Sequence, residues 1–478
     1  MQKKFLTNLA FLVLLNLLIK PFWIFGIDRT VQNMIGAEVY GKYYALLNFS
    51  FLLNIFLDFG ITNYNNRNIA QNKHLVSKHF TGIVILRFLL ASVYFILSLV
   101  IGLFIGYSTA DMQLLLVLLF NQFILSFILY LRSNLTGLQL FKRDSIISVT
   151  DRFLMITFCA ILIWGANAHT LDIRHFVYAQ TLGYLITALL AIAFLKGKIV
   201  PDKLNWNPAF YVAILKKSFP YALLILLMNF YSRIDSIMIE RLLPDGAFQA
   251  GVYAQAYRIL DAVNMFAYLF ATLLLPMFAH MIKQKQNVND LVKLSFSLLS
   301  IPSITLAAMA TFYKYNIMEL LYHYHTELSA PVFGVLMFSF FCMATSYIFG
   351  TLLTANGSVR QLNIMAACAM VLNVVLNLIL IPQLKAYGAS LAGFITQLLT
   401  AIVQAVIAYR IFRLHPGSGF FVRLLIFAVS IFLMAYLCSL FISNWIMGAA
   451  CVMLAGVAAA FGLKLIHVSK LMAILRER

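Results

Sequence analysis

Charge is what this sequence has least of. Of its 478 residues, only 11% are charged and 63% are hydrophobic, whereas a soluble domain carries about 25% charged residues. A soluble fold cannot bury this much apolar surface, so the surplus must face lipid. The composition therefore excludes a string of soluble domains and predicts an all-α polytopic membrane protein.

Long loops and nucleotide-binding motifs are also missing. The longest connection between apolar runs is about 20 residues, and no G-x-x-x-x-G-K-[ST] motif occurs, so ATP hydrolysis is excluded. The five cysteines lie inside apolar runs without metal-ligand spacing, and we predict no metal or resident cofactor. No clustered catalytic constellation is visible, so we expect a protein that is not an enzyme.

Apolar runs of membrane-spanning length fill the chain. A span needs about 20 apolar residues, and we count fourteen such runs. They cover approximately 5–26, 41–60, 80–107, 112–131, 147–166, 175–196, 218–241, 251–280, 290–313, 330–353, 361–382, 388–409, 421–441 and 445–467.

The basic residues lie mainly in alternate gaps between these runs. With the N-terminus in the cytoplasm, 25 of the 35 Lys and Arg residues lie inside, 6 lie outside and 4 lie within spans. Positive residues favour the cytoplasmic side, so we predict an even number of spans with both termini cytoplasmic. The same placement explains the net charge of +19, and we expect no nucleic-acid partner.

A short pattern occurs twice, about 210 residues apart. Asp28 precedes the segment 40–43 (YGKY), and Asp235 precedes the segment 250–253 (AGVY). An offset of six spans predicts two parallel repeats, although chance is the alternative for so short a match. We therefore predict an N-lobe of spans 1–6 (1–200), a C-lobe of spans 7–12 (201–415), and an added pair of spans (416–478).

Ionisable residues inside spans are the candidate functional residues, because charge in a membrane is costly. Cations suit an anionic headgroup such as a pyrophosphate, which Arg binds as a planar fork. The predicted substrate-binding cations are Arg233, Arg258, Lys20, Arg87 and Arg29. The acids that could couple transport to a proton or sodium gradient are Asp28, Asp235, Asp58 and Asp261.

Other roles remain open for these residues. Arg258 and Asp261 lie i,i+3 on one helix and could neutralise each other, and Arg87 could pair with Asp58 across spans. Lys20 and Arg87 could instead extend to the lipid headgroup level. For the acids, the alternative is helix capping or an interfacial position.

Three patches of sequence then point to a family. The first is 35–41 (IGAEVYG) followed by 57–60 (LDFG), and the second is 233–239 (RIDSIMI) followed by 251–253 (GVY). The third comprises 356–357 (NG), Asn373, Asn377, 381–382 (IP) and 387–390 (YGAS). In this order and spacing, the chain resembles the Wzx-like lipid-linked oligosaccharide flippases of the multidrug/oligosaccharidyl-lipid/polysaccharide exporter superfamily.

The resemblance implies two six-helix lobes in an inverted V around a cationic cavity, plus a C-terminal helix pair. It also implies a bacterial inner-membrane protein that flips an undecaprenyl-pyrophosphate-linked oligosaccharide from the cytoplasmic to the periplasmic leaflet by alternating access. Its partners would be that substrate, membrane lipid and other polysaccharide-assembly proteins such as a glycan polymerase. Members differ in their cavity cations, so the roles of Arg233 and Arg258 depend on the argument from intramembrane charge.

Two other functions remain as alternatives. A cation-coupled multidrug exporter of the same superfamily prefers an acidic, aromatic cavity, and the basic spans disfavour it. A membrane-embedded glycan polymerase or ligase is disfavoured by the short loops.

Overall fold

Helices form nearly all of the described chain. The computed structural model describes residues 19, 21–62, 65, 75–138, 140–165, 172–197, 208–415 and 417–465, and it assigns no β-strand to them. A π-helical segment, Trp23–Asp28, precedes the first α-helix, and a 3₁₀ turn, Asn54–Leu57, follows the second. The α-helices are α1 (Arg29–Ile35), α2 (Ala37–Leu52), α3 (Leu75–Ile105), α4 (Thr109–Gly137), α5 (Phe141–Trp164), α6 (Ile173–Leu195), α7 (Pro208–Leu242), α8 (Gly246–Lys283), α9 (Asn289–Leu321), α10 (Thr326–Ala355), α11 (Val359–Phe412), α12 (Ser418–Phe441) and α13 (Trp445–Gly462).

The helices are built to cross a membrane. Eleven of them within the described residues are long and apolar enough to do so. One of these, α11, has 54 residues and breaks at Lys385, where φ is 53° and ψ is −134°. The break falls in the predicted gap between spans 11 and 12, so α11 comprises both. The fold class predicted from the sequence, an all-α polytopic membrane protein, is confirmed.

Large apolar side chains cover the outer surface of these helices. Phe104 is 88% exposed, Phe441 is 80% exposed and Leu454 is 70% exposed. Such exposure would be costly in water and is favourable in hydrocarbon. The chain is a multi-pass membrane protein.

The second predicted span, 41–60, does not form one continuous helix. Helix α2 ends at Leu52, and the chain continues through the 3₁₀ turn to Phe59 and Gly60, where φ is 48° and 82°. The Asp58 carboxylate accepts a hydrogen bond from the Thr62 backbone N–H at 3.1 Å, which stabilises the chain as it turns into the next helical segment. The LDFG sequence therefore lies at the turn between the 3₁₀ segment and the next helical segment.

The first predicted span also differs from its expected bounds. Its residues 1–18 lie outside the described part of the chain, as does Lys20. Helical structure continues past the predicted end at residue 26, through the π-helical segment and α1, to Ile35. Asp28 and Arg29 consequently lie within a helix rather than just beyond its end.

The chain divides into two compact units, Met1–Gly251 and Val252–Arg478. In the first, α2 packs against α4 and α7, and α6 packs against α4 and α5. In the second, α10 packs against both α9 and α11, and the pair α12 and α13 packs against α9. The boundary lies within α8, and the predicted lobes 1–200, 201–415 and 416–478 remain a prediction.

Close packing through glycine attaches the C-terminal helix pair to α9. A Cβ added at Gly448 would lie 2.3 Å from the Tyr313 hydroxyl, and one at Gly456 would lie 2.9 Å from the Thr305 hydroxyl. Small residues let membrane helices approach closely, where dispersion contacts replace the hydrophobic effect as the driving force.

Candidate functional site

Arg233 lies on α7, where this helix packs against α2. Its Nη1 donates to the Asn48 side-chain oxygen at 3.3 Å, and its guanidinium carbon is 5.5 Å from the centroid of the Phe51 ring. The side chain is only partly buried. Arg233 is thus an intramembrane cation that contacts a neutral amide and the face of an aromatic ring.

Amide side chains continue this polar contact along the two helices. One turn before Arg233, the Asn229 Nδ2 donates to the Asn54 side-chain oxygen at 3.2 Å. Asn48 also donates to the Tyr44 backbone oxygen at 3.0 Å. We call Asn48, Asn54, Asn229 and Arg233 the α2–α7 polar seam. It presents hydrogen-bonding groups in a membrane segment, where each such group is costly unless it is satisfied.

Arg87 is fully enclosed within the first unit. Its side chain is 2% exposed, and its Nη2 lies 2.5 Å from an Asp58 carboxylate oxygen. Ser126 accepts a further hydrogen bond at 3.2 Å, and the Tyr130 ring centroid is 5.0 Å from the guanidinium carbon. The pairing of Arg87 with Asp58 is confirmed, and both charges are compensated inside the protein. Any role for Arg87 in substrate binding remains a prediction.

Arg258 and Asp261 form an ion pair on α8. The Arg258 Nη1 lies 3.6 Å from an Asp261 carboxylate oxygen, with side-chain exposures of 14% and 17%. The i,i+3 pairing expected from the sequence is therefore present. This pair also explains how α8 remains helical through a run that two charges interrupt, because each neutralises the other on one helix face.

Asp28 occupies the end of the π-helical segment. It is 1% exposed and accepts a hydrogen bond from the Tyr40 hydroxyl at 2.7 Å. Tyr40 stacks on Tyr44 with ring centroids 6.3 Å apart and meets Tyr43 edge-on at 5.4 Å. Asp28 is therefore a buried acid among tyrosines. π-Helical turns are frequent at functional sites.

Three further residues were predicted from the sequence to belong to the site: Arg29, Asp235 and Lys20. Arg29 follows Asp28, and its Nε is buried without a hydrogen-bond partner among the described residues. Asp235 is 3% exposed on α7, two residues from Arg233. Lys20 lies outside the described residues. Arg258 and Asp261 belong to the second compact unit, whereas the first contains Asp28, Asp58, Arg87, Arg233 and Asp235.

Sequence reasoning missed Arg152. Arg152 is one of the 25 Lys and Arg residues that the sequence count places on the cytoplasmic side, yet it lies on α5, eleven residues after that helix begins at Phe141. Its guanidinium carbon is 5.7 Å from the Trp23 ring centroid and 6.0 Å from that of Tyr184. The adjacent Asp151 carboxylate lies 3.8 Å away. The signal was present, since an Asp-Arg pair inside the predicted span 147–166 should have counted as intramembrane charge.

Charged residues also join the ends of α2, α4 and α7 on the side predicted to face outward. Lys42 Nζ lies 2.9 Å from an Asp111 oxygen, and Asp111 forms a capping box with Ser108 at the start of α4. The Arg241 guanidinium carbon lies 3.9 Å from the Tyr107 ring centroid. Burial raises the pKa of Tyr107, which lies between α3 and α4. Lys42 and Arg241 are two of the six cations that the sequence places outside, and each has a partner in the fold, Asp111 and Tyr107.

The two glycines of the repeated pattern meet. A Cβ added to Gly41 would lie 1.9 Å from the Ala247 carbonyl oxygen, and one added to Gly251 would lie 1.9 Å from that of Ala37. The Gln32 side chain donates to the Gly251 carbonyl oxygen at 3.4 Å. Only glycine lets the two backbones come this close, because any Cβ would overlap a carbonyl oxygen. The glycines of both copies of the pattern therefore lie at one contact, where the start of α2 crosses the start of α8.

Within the described residues, no group of three or more His, Cys, Asp or Glu side chains is placed to hold a metal ion.

The sequence profile described as "polysaccharide biosynthesis protein" matches residues 5–282. The chain belongs to this family. The match includes the α2–α7 polar seam, Asp28, Arg87 and the ion pair of α8. Membership agrees with the resemblance noted in the sequence.

One relative is similar to this chain in sequence, and two solved structures are similar to it in fold. An uncharacterised membrane protein of Methanocaldococcus jannaschii, MJ1375, is 25% identical over 398 residues, covering 79% of this chain and 92% of the relative. The solved structure of the lipid II flippase MurJ in an inward closed conformation aligns with a TM-score of 0.68 at 15% identity, covering 96% of this chain and all of MurJ. An inward-facing multidrug resistance MATE transporter aligns with a TM-score of 0.55 at 16% identity, covering 84% of this chain and 94% of the transporter. This member of the polysaccharide biosynthesis protein family therefore has the fold of a lipid flippase and of drug transporters.

Proposed function

We propose that this protein flips an undecaprenyl-pyrophosphate-linked oligosaccharide from the cytoplasmic to the periplasmic leaflet by alternating access. Family membership supports a role in polysaccharide assembly. The observation that carries the choice of an anionic lipid headgroup is Arg233, a partly exposed guanidinium within a membrane helix that contacts neutral groups of α2. A planar, permanently charged guanidinium suits two adjacent phosphate oxygens.

In this mechanism the α2–α7 polar seam supplies the binding groups. Arg233 contacts the pyrophosphate, and the seam amides offer donors and acceptors to the first sugar hydroxyls. The polyprenyl tail remains in the bilayer throughout, since its transfer to water would be prohibitive. Arg258 is the second proposed cation and would exchange its contact with Asp261 for the substrate.

Coupling to an ion gradient is assigned to Asp28. Asp58 and Asp261 each form an ion pair with an arginine. Asp28 is 1% exposed and accepts a hydrogen bond from the Tyr40 hydroxyl, and we propose that this buried acid takes up the coupling proton or sodium ion. Asp235 is the second proposed coupling acid because it is buried on the same helix as Arg233.

The drug-exporter alternative would use the acid and the aromatic rings as a binding site for cationic drugs. Asp28 and its tyrosines have the right chemistry for that role. However, Asp28 is 1% exposed and Tyr40 is fully buried, so neither side chain is open to a drug-sized cation. This observation favours the glycan flippase.

The decisive experiment uses a deletion strain and measures how much lipid-linked glycan accumulates in the cytoplasmic leaflet. Restoring the wild-type gene should clear that pool. Arg233→Ala should lower the translocation rate about tenfold or more, because a hydrogen bond to a charged group contributes about 1.5–3 kcal/mol. Arg233→Lys should recover part of the rate, because the charge remains without the planar fork.

Arg360→Ala is the matched control, since this arginine is exposed at the start of α11 and lies outside the seam. Membrane insertion of each variant is checked by its abundance in the membrane fraction. In the same strain, Asp28→Asn should abolish the dependence of translocation on the proton or sodium gradient. Full glycan export by correctly inserted Arg233→Ala protein would show that the assignment of Arg233 is wrong.

A further inference from the structure

A second site lies in the other unit, far along the chain from the residues proposed to bind substrate. Helices α9, α10, α11 and α12 line an open cavity of about 540 Å³, which is within the range of about 300–1,000 Å³ for small-molecule sites. Its walls are mainly aliphatic and aromatic and include Phe296, Phe341, Phe349 and Val406. We call it the α9–α12 groove.

The polar groups of the groove are concentrated at one end. Lys293, at the start of α9, and Arg410, at the end of α11, both line it there. The Lys293 ammonium lies 5.2 Å from the centroid of the Phe420 ring. No acidic residue lines the groove, and within the described residues neither cation forms an ion pair. Asp290 lies nearby in sequence but is exposed and does not line the groove.

The length of the groove is close to the thickness of the hydrocarbon region of one membrane leaflet. The lining residues of α11 run from Leu398 to Arg410, which is about 18 Å at about 1.5 Å per helical residue. Half of the hydrocarbon thickness of a bilayer is about 15 Å. The groove therefore starts at a cationic end and continues as an apolar channel for about the length of one acyl chain.

The cationic end is shaped by the linker between α11 and α12. The His415 backbone N–H donates to the Asn289 side-chain oxygen at 3.3 Å, which holds the linker against the start of α9. Leu414 and Phe420 then line the groove on either side of this contact.

We propose that the α9–α12 groove binds an anionic phospholipid of the surrounding bilayer, with its phosphate at Lys293 and Arg410 and one acyl chain along α11. Lys293 and Arg410 have no carboxylate partner in the described part of the chain, and at the end of an apolar channel they complement a negatively charged phosphate. By the positive-inside count, this end faces the cytoplasmic leaflet. The site is independent of the substrate proposed above.

The test measures lipid retention by the full-length protein. Purified protein is incubated with vesicles of equal parts palmitoyl-oleoyl phosphatidylglycerol and palmitoyl-oleoyl phosphatidylcholine, and native mass spectrometry counts the retained lipids. We expect the wild type to retain about one phosphatidylglycerol per chain in preference to phosphatidylcholine. Lys293→Gln with Arg410→Gln should weaken that retention by about thirtyfold, as two basic side chains at a membrane surface would predict.

Matched controls separate this site from general charge and packing effects. Lys283→Gln with Arg360→Gln removes the same charge from exposed positions outside the groove and should leave retention unchanged. Ala405→Phe fills the groove and should abolish retention, whereas Val403→Phe, on another face of α11, should not. Thermal unfolding followed by circular dichroism reports whether each variant folds, and the charge variants decide the question if Ala405→Phe does not.

Three results would overturn the proposal. The first is equal retention of the two lipids by the wild type. The second is equal retention of phosphatidylglycerol by the two double variants. The third is displacement of phosphatidylglycerol by undecaprenyl phosphate at tenfold lower concentration, which would assign the groove to the polyprenyl carrier instead of a resident phospholipid.

Discussion

Two arginines in the helices of the first unit have different surroundings, although the sequence gives both the same character. Arg87 is enclosed by Asp58, Thr62, Ser126 and Tyr130, whereas Arg233 is partly exposed beside Asn48 and Phe51. Sequence alone treats both as intramembrane arginines with the same cost. Only the partner of each side chain, which comes from another helix, tells them apart.

The ion pair of Arg87 and Asp58 leads to a prediction about stability. Arg87→Met should lower the free energy of unfolding by about 3 kcal/mol, because it leaves the Asp58 carboxylate in the protein interior without its cation. Adding Asp58→Asn should restore most of that loss, since the amide oxygen can still accept the hydrogen bond from the Thr62 N–H. Thermal unfolding in detergent measures both variants. A double variant as unstable as the single one would contradict the prediction.

Helix α2 ends within the stretch that the sequence predicts as span 2, and α11 breaks between predicted spans 11 and 12. The sequence correctly placed the interruption between spans 11 and 12, because Pro382 and Gly388 disfavour a continuous helix there. It did not locate the end of α2 at Leu52, since the stretch that follows is apolar and looks like a continuous span. The hydrogen bond from Thr62 to Asp58 and the ion pair with Arg87 stabilise that turn, and both need the folded bundle.

The close contact of α2 and α8 at Gly41 and Gly251 predicts that both helices depend on glycine there. Gly41→Ala and Gly251→Ala should each lower the free energy of unfolding by about 1–3 kcal/mol, because the new methyl group would overlap a backbone carbonyl that cannot move independently. The measurement is the unfolding midpoint of each purified variant.

Gly462→Ala is the control for these substitutions, because no heavy atom lies within 4 Å of its added Cβ. It should change the free energy of unfolding by less than about 0.5 kcal/mol. If Gly41→Ala is as stable as Gly462→Ala, the close crossing of α2 and α8 is not formed as described.

For the whole molecule, the unequal distribution of Lys and Arg predicts the direction of insertion. A cysteine at Lys285, between α8 and α9, should face the cytoplasm, and one at Tyr324, between α9 and α10, should face outward. Both positions are exposed. A membrane-impermeant maleimide applied to intact cells or spheroplasts should label only the Tyr324→Cys protein.

The labelling requires a background in which the five native cysteines are replaced by serine, because Cys368 is exposed. Permeabilised cells serve as the positive control, in which both positions should react. Labelling of Lys285→Cys in intact cells, without labelling of Tyr324→Cys, would reverse the predicted orientation of the termini.

The sequence by itself determined the class of the molecule, because hydrophobic runs of about 20 residues have one stable form in a bilayer, which is the helix. It also contained the motifs of the family and the local pair Arg258–Asp261, since residues three apart on a helix must be neighbours. Tertiary structure alone decided what depends on residues distant in sequence. It gave Asp28 its hydrogen bond from Tyr40, placed Arg152 against Trp23, and brought Gly41 to Gly251. Helix periodicity specifies which side chains share a face, but the partner of that face is selected by packing among many apolar surfaces of similar composition, and no local pattern encodes that choice.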